Sequence, residues 1–204
     1  SGALFDMVKL FDVAKIVISR YSAEKVYNDS YAWAKKYDEE LVKLLENKDY
    51  ALKVLGIERG NAKPRKDIAK YSDIESLIWY MYDELFNPDV YEWGKVTDPS
   101  EISKILKTYM DKYYTEDKDE WFNQVKLLAD ELGYASNMKE YKKNPDDFKG
   151  NVADIATVIR VALTSKSQTP DLYEILKLYK NPKITCITRY NMYLCVSAKT
   201  AICI

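Results

Sequence analysis

The sequence predicts an all-α protein, and three observations support this. Glycine and proline each occur only six times among 204 residues, whereas Lys, Glu, Leu, Ala and Tyr are plentiful, a balance that favours helix over sheet. Apolar residues recur at helical spacing along most of the chain, and the main body shows no period-two alternation of strands. The polar segments between them are short. We therefore expect short helices arranged as a bundle or superhelix.

In the first half of the chain we expect four helical segments separated by polar turns, the first after an irregular start. Their limits are residues 1–18, 22–46, 50–57 and 72–86. Ser22 is the predicted N-cap of the second segment, because its hydroxyl can accept a hydrogen bond from the first turn. That segment is expected to break near residues 28–30. Asn87 and Pro88 end the fourth, since the residue before a proline avoids the helical conformation.

The second half is predicted to contain four more helices. Their limits are residues 97–113, 117–132, 152–163 and 170–178. Thr97, Asp98 and Pro99 give the first of these an N-cap and a proline near its first position. Gly133 is the natural end of the second, because glycine adopts the left-handed conformation that closes many helices. Residues 138–151 are expected to form a polar linker.

The last part of the chain, residues 181–204, differs from the rest. It is rich in Ile, Thr, Tyr and Cys and has no acidic residue. Three alternatives stay open: strands, a disordered segment, or a segment foreign to the fold. All three cysteines, Cys186, Cys195 and Cys203, lie here. Their spacing matches no zinc motif and their odd number no disulfide framework, which indicates a reduced, cytoplasmic protein.

Composition also excludes several classes of function. The chain has no histidine, which removes Ser–His and Cys–His catalysis and the commonest metal ligand. It has no glycine-rich phosphate loop, so we expect neither catalytic residues nor a bound metal. No apolar run approaches the ~20 residues of a membrane helix. The formal net charge of −1 gives no general attraction to nucleic acid, so DNA is not an expected partner and any site for a polyanion must be local.

A first candidate site is the basic stretch that follows residue 58. Its cations are Arg59, Lys63, Arg65 and Lys66. Clustered basic side chains on a turn suit phosphates or a base edge. The alternative is a solvated basic face. The aromatic residues, including 18 tyrosines, fall mostly at core spacing, which favours packing over base stacking.

A second candidate site surrounds Arg160, at the edge of the apolar stripe of its helix. Thr169 is the expected N-cap and Pro170 the first residue of the next helix. A guanidinium fork, free N–H groups at a helix start and an apolar surface together suit an unstacked base. The alternative is structural, with Arg160 joining two helices through a salt bridge to Asp154 or Asp171. Spacing alone favours this alternative.

Three ordered stretches of the chain resemble bacterial glutamyl-tRNA synthetases. "GNVADIATVIRVALTSKSQTPDLYEILKL" is similar to the signature LRVALTG-x-x-x-(S/T)-P-x-L that leads into the last helices of their anticodon-binding domain. "SGALFDMVKLFDVAKIVIS" resembles the segment after their catalytic KMSKS-type lysine loop, and "YALKVLGIERGNAKPRKDIAKYSD" resembles the region between. The resemblance covers about Ser1 to Leu178. Ser165 replaces the usual glycine of the signature, and the family's expected ending is absent from the tail.

The resemblance implies a C-terminal fragment of a class I, ATP-dependent ligase whose catalytic domain lies upstream. It implies an all-α, superhelical anticodon-binding domain with four parts. These are residues 1–55, a stem-contact-like region; 56–96 and 97–180, two helical anticodon-binding subdomains; and 181–204, an atypical tail. The fragment itself would hold no cofactor, whereas the whole enzyme uses ATP and Mg²⁺.

The resemblance also implies which residues bind RNA. Arg160, Thr169, Pro170 and Leu172 match the positions at which the family contacts the anticodon. The basic cluster of Arg59, Lys63, Arg65 and Lys66 is a weaker candidate for the side of the site that holds the first anticodon base. The implied partner is a glutamate-accepting tRNA, and a glutamine-accepting tRNA stays open. Two other hypotheses are a helical protein-interaction module that reads no RNA, and an intact small enzyme, which the missing motifs disfavour.

Overall fold

The computed structural model describes residues 6–112, 115–179, 185–186, 188–191 and 193–194. These residues form α-helices and short 3-10 turns without a strand, which confirms the all-α prediction. The chain divides into two compact units, Ser1–Phe86 (unit 1) and Asn87–Ile204 (unit 2). Among the described helices, none has the length and apolar character needed to cross a membrane. The four-part division implied by the resemblance stays a prediction.

The described part of unit 1 contains five α-helices. They are α1 (Met7–Ser19), α2 (Ala23–Tyr37), α3 (Glu39–Leu45), α4 (Lys48–Gly56) and α5 (Ile74–Ile78). Ser22 caps α2 as predicted, with its hydroxyl accepting from the N–H of Lys25 at 3.1 Å. The predicted break near residues 28–30 is wrong. The buried Ser30 donates its hydroxyl to the carbonyl of Tyr27, and the helix continues until Asp38, whose carboxylate caps α3.

The predicted continuous helix over residues 72–86 is also wrong. The structure has α5 flanked by three 3-10 turns, Tyr71–Asp73, Trp79–Met81 and Asp83–Leu85. The physical reason is that the successive residues Tyr80, Met81 and Tyr82 are all buried. A helix that buries only one face cannot bury three successive residues, because they point in different directions around its axis. The carbonyl of Met81 accepts a hydrogen bond from the hydroxyl of Tyr50 at 2.6 Å instead of a helical partner. Burial in the core therefore overrides the helical pattern here.

Unit 2 contains five named α-helices within its described part. They are α6 (Pro99–Lys112), α7 (Lys118–Leu132), α8 (Met138–Lys143), α9 (Val152–Thr164) and α10 (Leu172–Leu178). Gly133 ends α7 as predicted, with a φ of 81°. The predicted linker over residues 138–151 is partly wrong, because Asn137 caps α8 and a 3-10 turn follows at Pro145–Asp147.

Helix α9 is the centre of unit 2 and packs against α6 and α7. We expect the buried stripe of α9 to consist of Val152, Ile155/Ala156, Ile159 and Leu163; all are buried except Ala156, which is half-buried. Val158, Val161 and Ala162 are buried as well. Only part of the α9 surface therefore meets solvent, and Arg160 lies half-buried at its edge.

The described residues of the tail are helical, so the strand alternative is wrong for them. Arg189 is only 2 % exposed and donates to the carbonyl of Leu163 and, at 2.8 Å, to the hydroxyl of Tyr179. The ring of Tyr193 meets that of Trp93 edge-on, with 4.8 Å between centroids. These tail residues are part of the unit 2 core. Cys195 and Cys203 lie outside the described residues.

The start of α9 carries a prediction at Gly150. A Cβ there would lie 2.7 Å from Oδ2 of Asp154 and 3.1 Å from ring atoms of Tyr134. Asp154 cannot move without losing its 2.9 Å hydrogen bond from the N–H of Asn151, and Tyr134 is buried. We expect Gly150→Ala to lower the free energy of unfolding by about 1–3 kcal/mol.

Urea denaturation followed by circular dichroism measures this change. Gly56→Ala is the matched control, because its added Cβ would meet only the Cβ of Ala23 at an ordinary 3.7 Å. We expect that variant to be neutral or stabilised by up to about 1 kcal/mol. Equal stability of the two variants would contradict the close approach at Gly150.

Candidate functional site

Arg160 holds the loop between α9 and α10. Its Nη1 donates to the carbonyl of Pro170 at 2.9 Å, to the carbonyl of Thr169 at 3.3 Å, and to the Thr169 hydroxyl. Of the two carboxylates considered as its salt-bridge partners, Asp154 accepts from the N–H of Asn151 and Asp171 pairs with Lys118 at 2.8 Å. Arg160 thus has a structural role, which it exerts on loop oxygens.

The start of α10 differs from its prediction. Its N-cap is Asp171 rather than Thr169, and Pro170 precedes the cap instead of opening the helix. The reason is that the Asp171 carboxylate accepts from the N–H of Glu174 at 3.0 Å, whereas the Thr169 hydroxyl donates to the carbonyl of Pro170 at 2.9 Å. A ligand acceptor at this helix start would therefore have to compete with Asp171.

Arg160 and Leu172, two of the four predicted anticodon-contact residues, line an open hollow of about 300 Å³. We call it the Arg160 hollow. Its other lining residues are Lys118, Asp119, Trp121, Phe122, Ala156, Asp171 and Tyr173. The structure thus brings all four predicted residues together, since Thr169 and Pro170 provide the acceptors of Arg160.

Aromatic rings form much of the wall of the Arg160 hollow. Trp121 and Tyr173 are buried with ring centroids 5.6 Å apart, while Phe122 is 41 % exposed. The Nζ of Lys126 lies 4.8 Å from the centre of the Phe122 ring. An exposed ring beside a cation and a guanidinium is the combination that suits a flat, electron-rich ligand edge.

Charges in the Arg160 hollow are balanced. Its two cations, Lys118 and Arg160, face two carboxylates, Asp119 and Asp171. Burial alone raises the pKa of Asp171, but the hydrogen bond from Lys118 and those from the backbone of Glu174 and Tyr173 together hold this pKa below its ordinary value. Asp171 therefore stays ionised at neutral pH, and the formal charges of the residues that line the hollow cancel.

The opposite end of the α9–α10 loop is held by Glu92. Its carboxylate accepts from the N–H of Ser167 at 2.8 Å, from the Ser167 hydroxyl at 2.9 Å and from Nζ of Lys166 at 3.3 Å. The N–H of Glu92 donates to the carbonyl of Ser165 at 3.0 Å. Ser165 itself has a φ of 60°, the left-handed conformation that a glycine adopts most readily. The usual family residue at this position is thereby explained.

Glu92 carries a second prediction. The backbone hydrogen bond from Ser167, followed by those from its hydroxyl and Lys166, lowers the pKa of Glu92 from its ordinary 4.5 against the opposing effect of burial. We expect Glu92→Gln to speed amide exchange at Ser167 by about three- to tenfold at pH 7. The reason is that a charge-assisted hydrogen bond becomes a neutral one, a difference of roughly 1 kcal/mol.

Hydrogen exchange followed by NMR measures this rate, with Glu140→Gln on the exposed surface of α8 as the control. Because the pKa of Glu92 is lowered by folding, its contribution is present above the ordinary value and is lost as the pH falls through the lowered one. The difference between wild type and Glu92→Gln should therefore vanish in acid. A difference that is independent of pH would exclude a role for the Glu92 charge.

The predicted basic cluster in unit 1 is smaller than its sequence suggests. Arg59 donates to the carbonyls of Leu55 at 2.7 Å and Ile18 at 2.9 Å, and burial lowers its pKa. Arg65 pairs with Asp67 at 2.6 Å. Lys63 and Lys66 are exposed, and Lys66 lines a separate hollow. Two of the four predicted cations are thus engaged within the protein.

Comparison with known proteins finds several relatives. The chain is 44 % identical over 186 residues to the glutamate–tRNA ligase of Acetivibrio thermocellus, a match covering 90 % of this chain and 34 % of that protein. The glutamate–tRNA ligase of Clostridium perfringens strain 13 is 44 % identical over 183 residues, covering 87 % and 34 %. The chain is homologous to a segment of the glutamate–tRNA ligases. The ligase of Sorangium cellulosum is 36 % identical over 186 residues, covering 90 % of this chain and 33 % of that protein.

The chain spans about a third of the length of the relatives it matches. No protein-family model matches the chain, and no solved structure matches it. The identity with the ligases agrees with the resemblance of its three ordered stretches.

Proposed function

We propose that this ligase segment binds the anticodon arm of a tRNA through the Arg160 hollow. One observation carries the proposal: Arg160 and Leu172, at the positions implied by the resemblance, line an open hollow with aromatic walls. The relatives are named for ligating glutamate to tRNA, which makes a glutamate-accepting tRNA the proposed partner.

The chemistry of the hollow supports an unstacked base rather than a run of phosphates. The positive and negative charges that line it balance, so a polyanion gains little electrostatic attraction there. A base, in contrast, can stack on Phe122 and accept a hydrogen bond from a guanidinium. Base stacking on an aromatic side chain contributes roughly 1–3 kcal/mol. Because the chain has a net charge of −1, we expect specific contacts to supply most of the affinity.

We further propose that this segment binds RNA without catalysing ligation and without a cofactor of its own. ATP and Mg²⁺ would serve the ligation reaction of a whole enzyme, in the two thirds of the relatives that this chain does not match. Pyrophosphate exchange with glutamate and ATP tests this directly. Exchange above background by the 204-residue chain would show that it is an intact enzyme.

Fluorescence anisotropy with labelled anticodon stem-loops tests the main proposal. We expect salt-sensitive binding of the glutamate-accepting stem-loop at micromolar protein, at least about tenfold tighter than binding of a scrambled loop. A glutamine-accepting stem-loop in the same series shows whether the site separates the two tRNAs. If no RNA binds at micromolar protein, the protein-interaction hypothesis is favoured instead.

That second hypothesis draws support from α1. Among the described tail residues, Arg189, Tyr190 and Tyr193 are buried, whereas Leu194 is 42 % exposed. Six apolar side chains of α1, in contrast, are between 36 % and 70 % exposed. They are Met7, Val8, Leu10, Val13, Ile16 and Val17.

A further inference from the structure

We propose that Tyr193, in the tail, positions the α9–α10 loop and through it one wall of the Arg160 hollow. The inference deepens the proposed function and rests on it, because the same loop bears Thr169 and Pro170. Tyr193 is not among the described lining residues of the hollow. It lies beyond the stretches that resemble the ligases, which end near Leu178. Tyr193 is therefore a positioning residue, and it acts through a turn centred on Glu92.

The turn that contains Glu92 is closed by a hydrogen bond and by two rings. The N–H of Trp93 donates to the carbonyl of Tyr91 at 3.1 Å, which makes a three-residue turn with Glu92 at its centre. The rings of Tyr91 and Trp93 stack on each other, with centroids 5.5 Å apart and planes inclined by only 7°. Because all three residues share one turn, the place where the two rings pack determines where the Glu92 carboxylate lies.

Glu92 transfers the position of this turn to the α9–α10 loop. Its N–H donates to the carbonyl of Ser165 at 3.0 Å, and its carboxylate accepts from the N–H of Ser167 at 2.8 Å. Only Gln168 separates Ser167 from Thr169, which accepts a hydrogen bond from Arg160. A displacement of the Glu92 turn would therefore be passed along the backbone to the residues that Arg160 holds.

Tyr193 packs on the two rings of the turn. Its ring meets that of Tyr91 edge-on at 5.2 Å and that of Trp93 edge-on at 4.8 Å between centroids, and its side chain is only 8 % exposed. Edge-to-face contacts of this kind are favourable beyond the area that they bury. Tyr91 and Trp93 are half-buried and Glu92 is exposed, so the turn is held through its rings rather than through Glu92 itself.

Arg189 holds Tyr193 in a defined place relative to both helices that the loop joins. The two residues are helical and four positions apart, so their side chains lie on one helix face. Arg189 donates to the carbonyl of Leu163, near the end of α9, and at 2.8 Å to the hydroxyl of Tyr179, directly after α10. The tail thus reaches the ends of both helices and the Glu92 turn together.

The alternative is that Tyr193 only fills space in the core of unit 2. Loss of a space-filling ring would lower the stability of the whole unit and leave the folded loop unchanged. Loss of a positioning ring would open the loop while the unit stays folded. Amide exchange at Ser167 separates the two, because the N–H of a loop residue exchanges through local opening.

The test is amide exchange at Ser167 in Tyr193→Ala, followed by NMR without RNA. We expect exchange about two- to tenfold faster than in wild type, because two edge-to-face contacts are lost. Tyr193→Phe keeps the ring and should restore the wild-type rate. Combined with Glu92→Gln, Tyr193→Ala should give less than the product of the two single effects, since both act on the same hydrogen bond. Tyr193→Leu takes its place if Tyr193→Ala does not fold.

Ile105→Ala is the matched control for a loss of core packing. Ile105 lies in α6, is fully buried and is not a lining residue of the Arg160 hollow, so this change should leave exchange at Ser167 unaltered. Equal acceleration by Ile105→Ala and Tyr193→Ala would overturn the positioning role. Effects of Tyr193→Ala and Glu92→Gln that multiply would also overturn it, because Tyr193 would then not act through Glu92.

The link between the loop and the Arg160 hollow is tested with RNA. At ten times its dissociation constant, the cognate anticodon stem-loop should slow exchange at Ser167 about tenfold, since it binds only the ordered loop. RNA binding without this slowing would overturn the link and leave the proposed function intact. Absence of RNA binding by the wild-type chain would overturn the proposed function, whereas the exchange rates without RNA would still decide whether Tyr193 positions the loop.

Discussion

Arg160→Ala is expected to weaken binding of the cognate anticodon stem-loop by about 10- to 100-fold, and binding of a scrambled loop by much less. A guanidinium that forms good hydrogen bonds to a base contributes roughly 1–3 kcal/mol to discrimination. The variant also frees the carbonyls of Thr169 and Pro170 that Arg160 holds, so the wall of the hollow is weakened along with the contact. Fluorescence anisotropy with both stem-loops measures the ratio.

Two patterns of loss would contradict a contact between Arg160 and a base. Equal losses on both loops would make Arg160 a phosphate contact, and no loss would leave it with a structural role alone. Lys139→Ala, at an exposed cation of α8 in the same unit, is the control for a loss of charge. Arg160→Lys keeps the charge but not the planar fork, so it should restore little of the discrimination. Amide exchange at Ser167 shows whether the loop stays ordered.

Arg189→Met is expected to lower the free energy of unfolding of unit 2 by about 1–3 kcal/mol. The side chain is 2 % exposed, and its Cζ lies 4.8 Å from the centre of the Tyr179 ring. Methionine fills much of the volume but leaves the carbonyl of Leu163 and the Tyr179 hydroxyl without this donor. Buried polar groups without a partner are costly.

Urea denaturation gives the free energies, and Thr188→Ala at the exposed neighbouring position is the control. We expect the control to lie within about 0.5 kcal/mol of wild type. If Arg189→Met were as stable as the control, the hydrogen bonds of Arg189 would contribute nothing to the stability of unit 2.

Local signals explain which helices the sequence could predict. Ser22, Pro99 and Gly133 act within one turn of their own backbone, so the starts of α2 and α6 and the end of α7 follow from a few letters. The segment from Tyr71 to Leu85 was not predictable in this way. Its apolar residues point in every direction, and only the surrounding core decides how the backbone turns.

Prediction from sequence was limited in the same way at the candidate site. Arg160 and Leu172 lie 12 positions apart, and one motif contains both. Phe122 and Lys118 come from a helix far back in the chain, and no sequence spacing relates them to Arg160. Adjacent Trp121 and Phe122 cannot both lie on one buried helix stripe, and this is the signal that could have indicated an exposed ring here. Nothing in the sequence indicated that the Arg59 side chain is partly buried against helix carbonyls. A basic turn has the same sequence pattern whether its side chains face solvent or the end of a helix.

The double attachment of the α9–α10 loop has a consequence for the thermodynamics of recognition. Glu92 fixes the loop near Ser167 and Arg160 fixes it near Pro170 before any ligand arrives. Ordering a flexible backbone costs roughly 1–2 kcal/mol per residue, and here folding has already met that cost. Association therefore needs no coupled folding of residues 165–171. Its heat-capacity change should reflect only the apolar surface that the ligand covers, as for a rigid receptor.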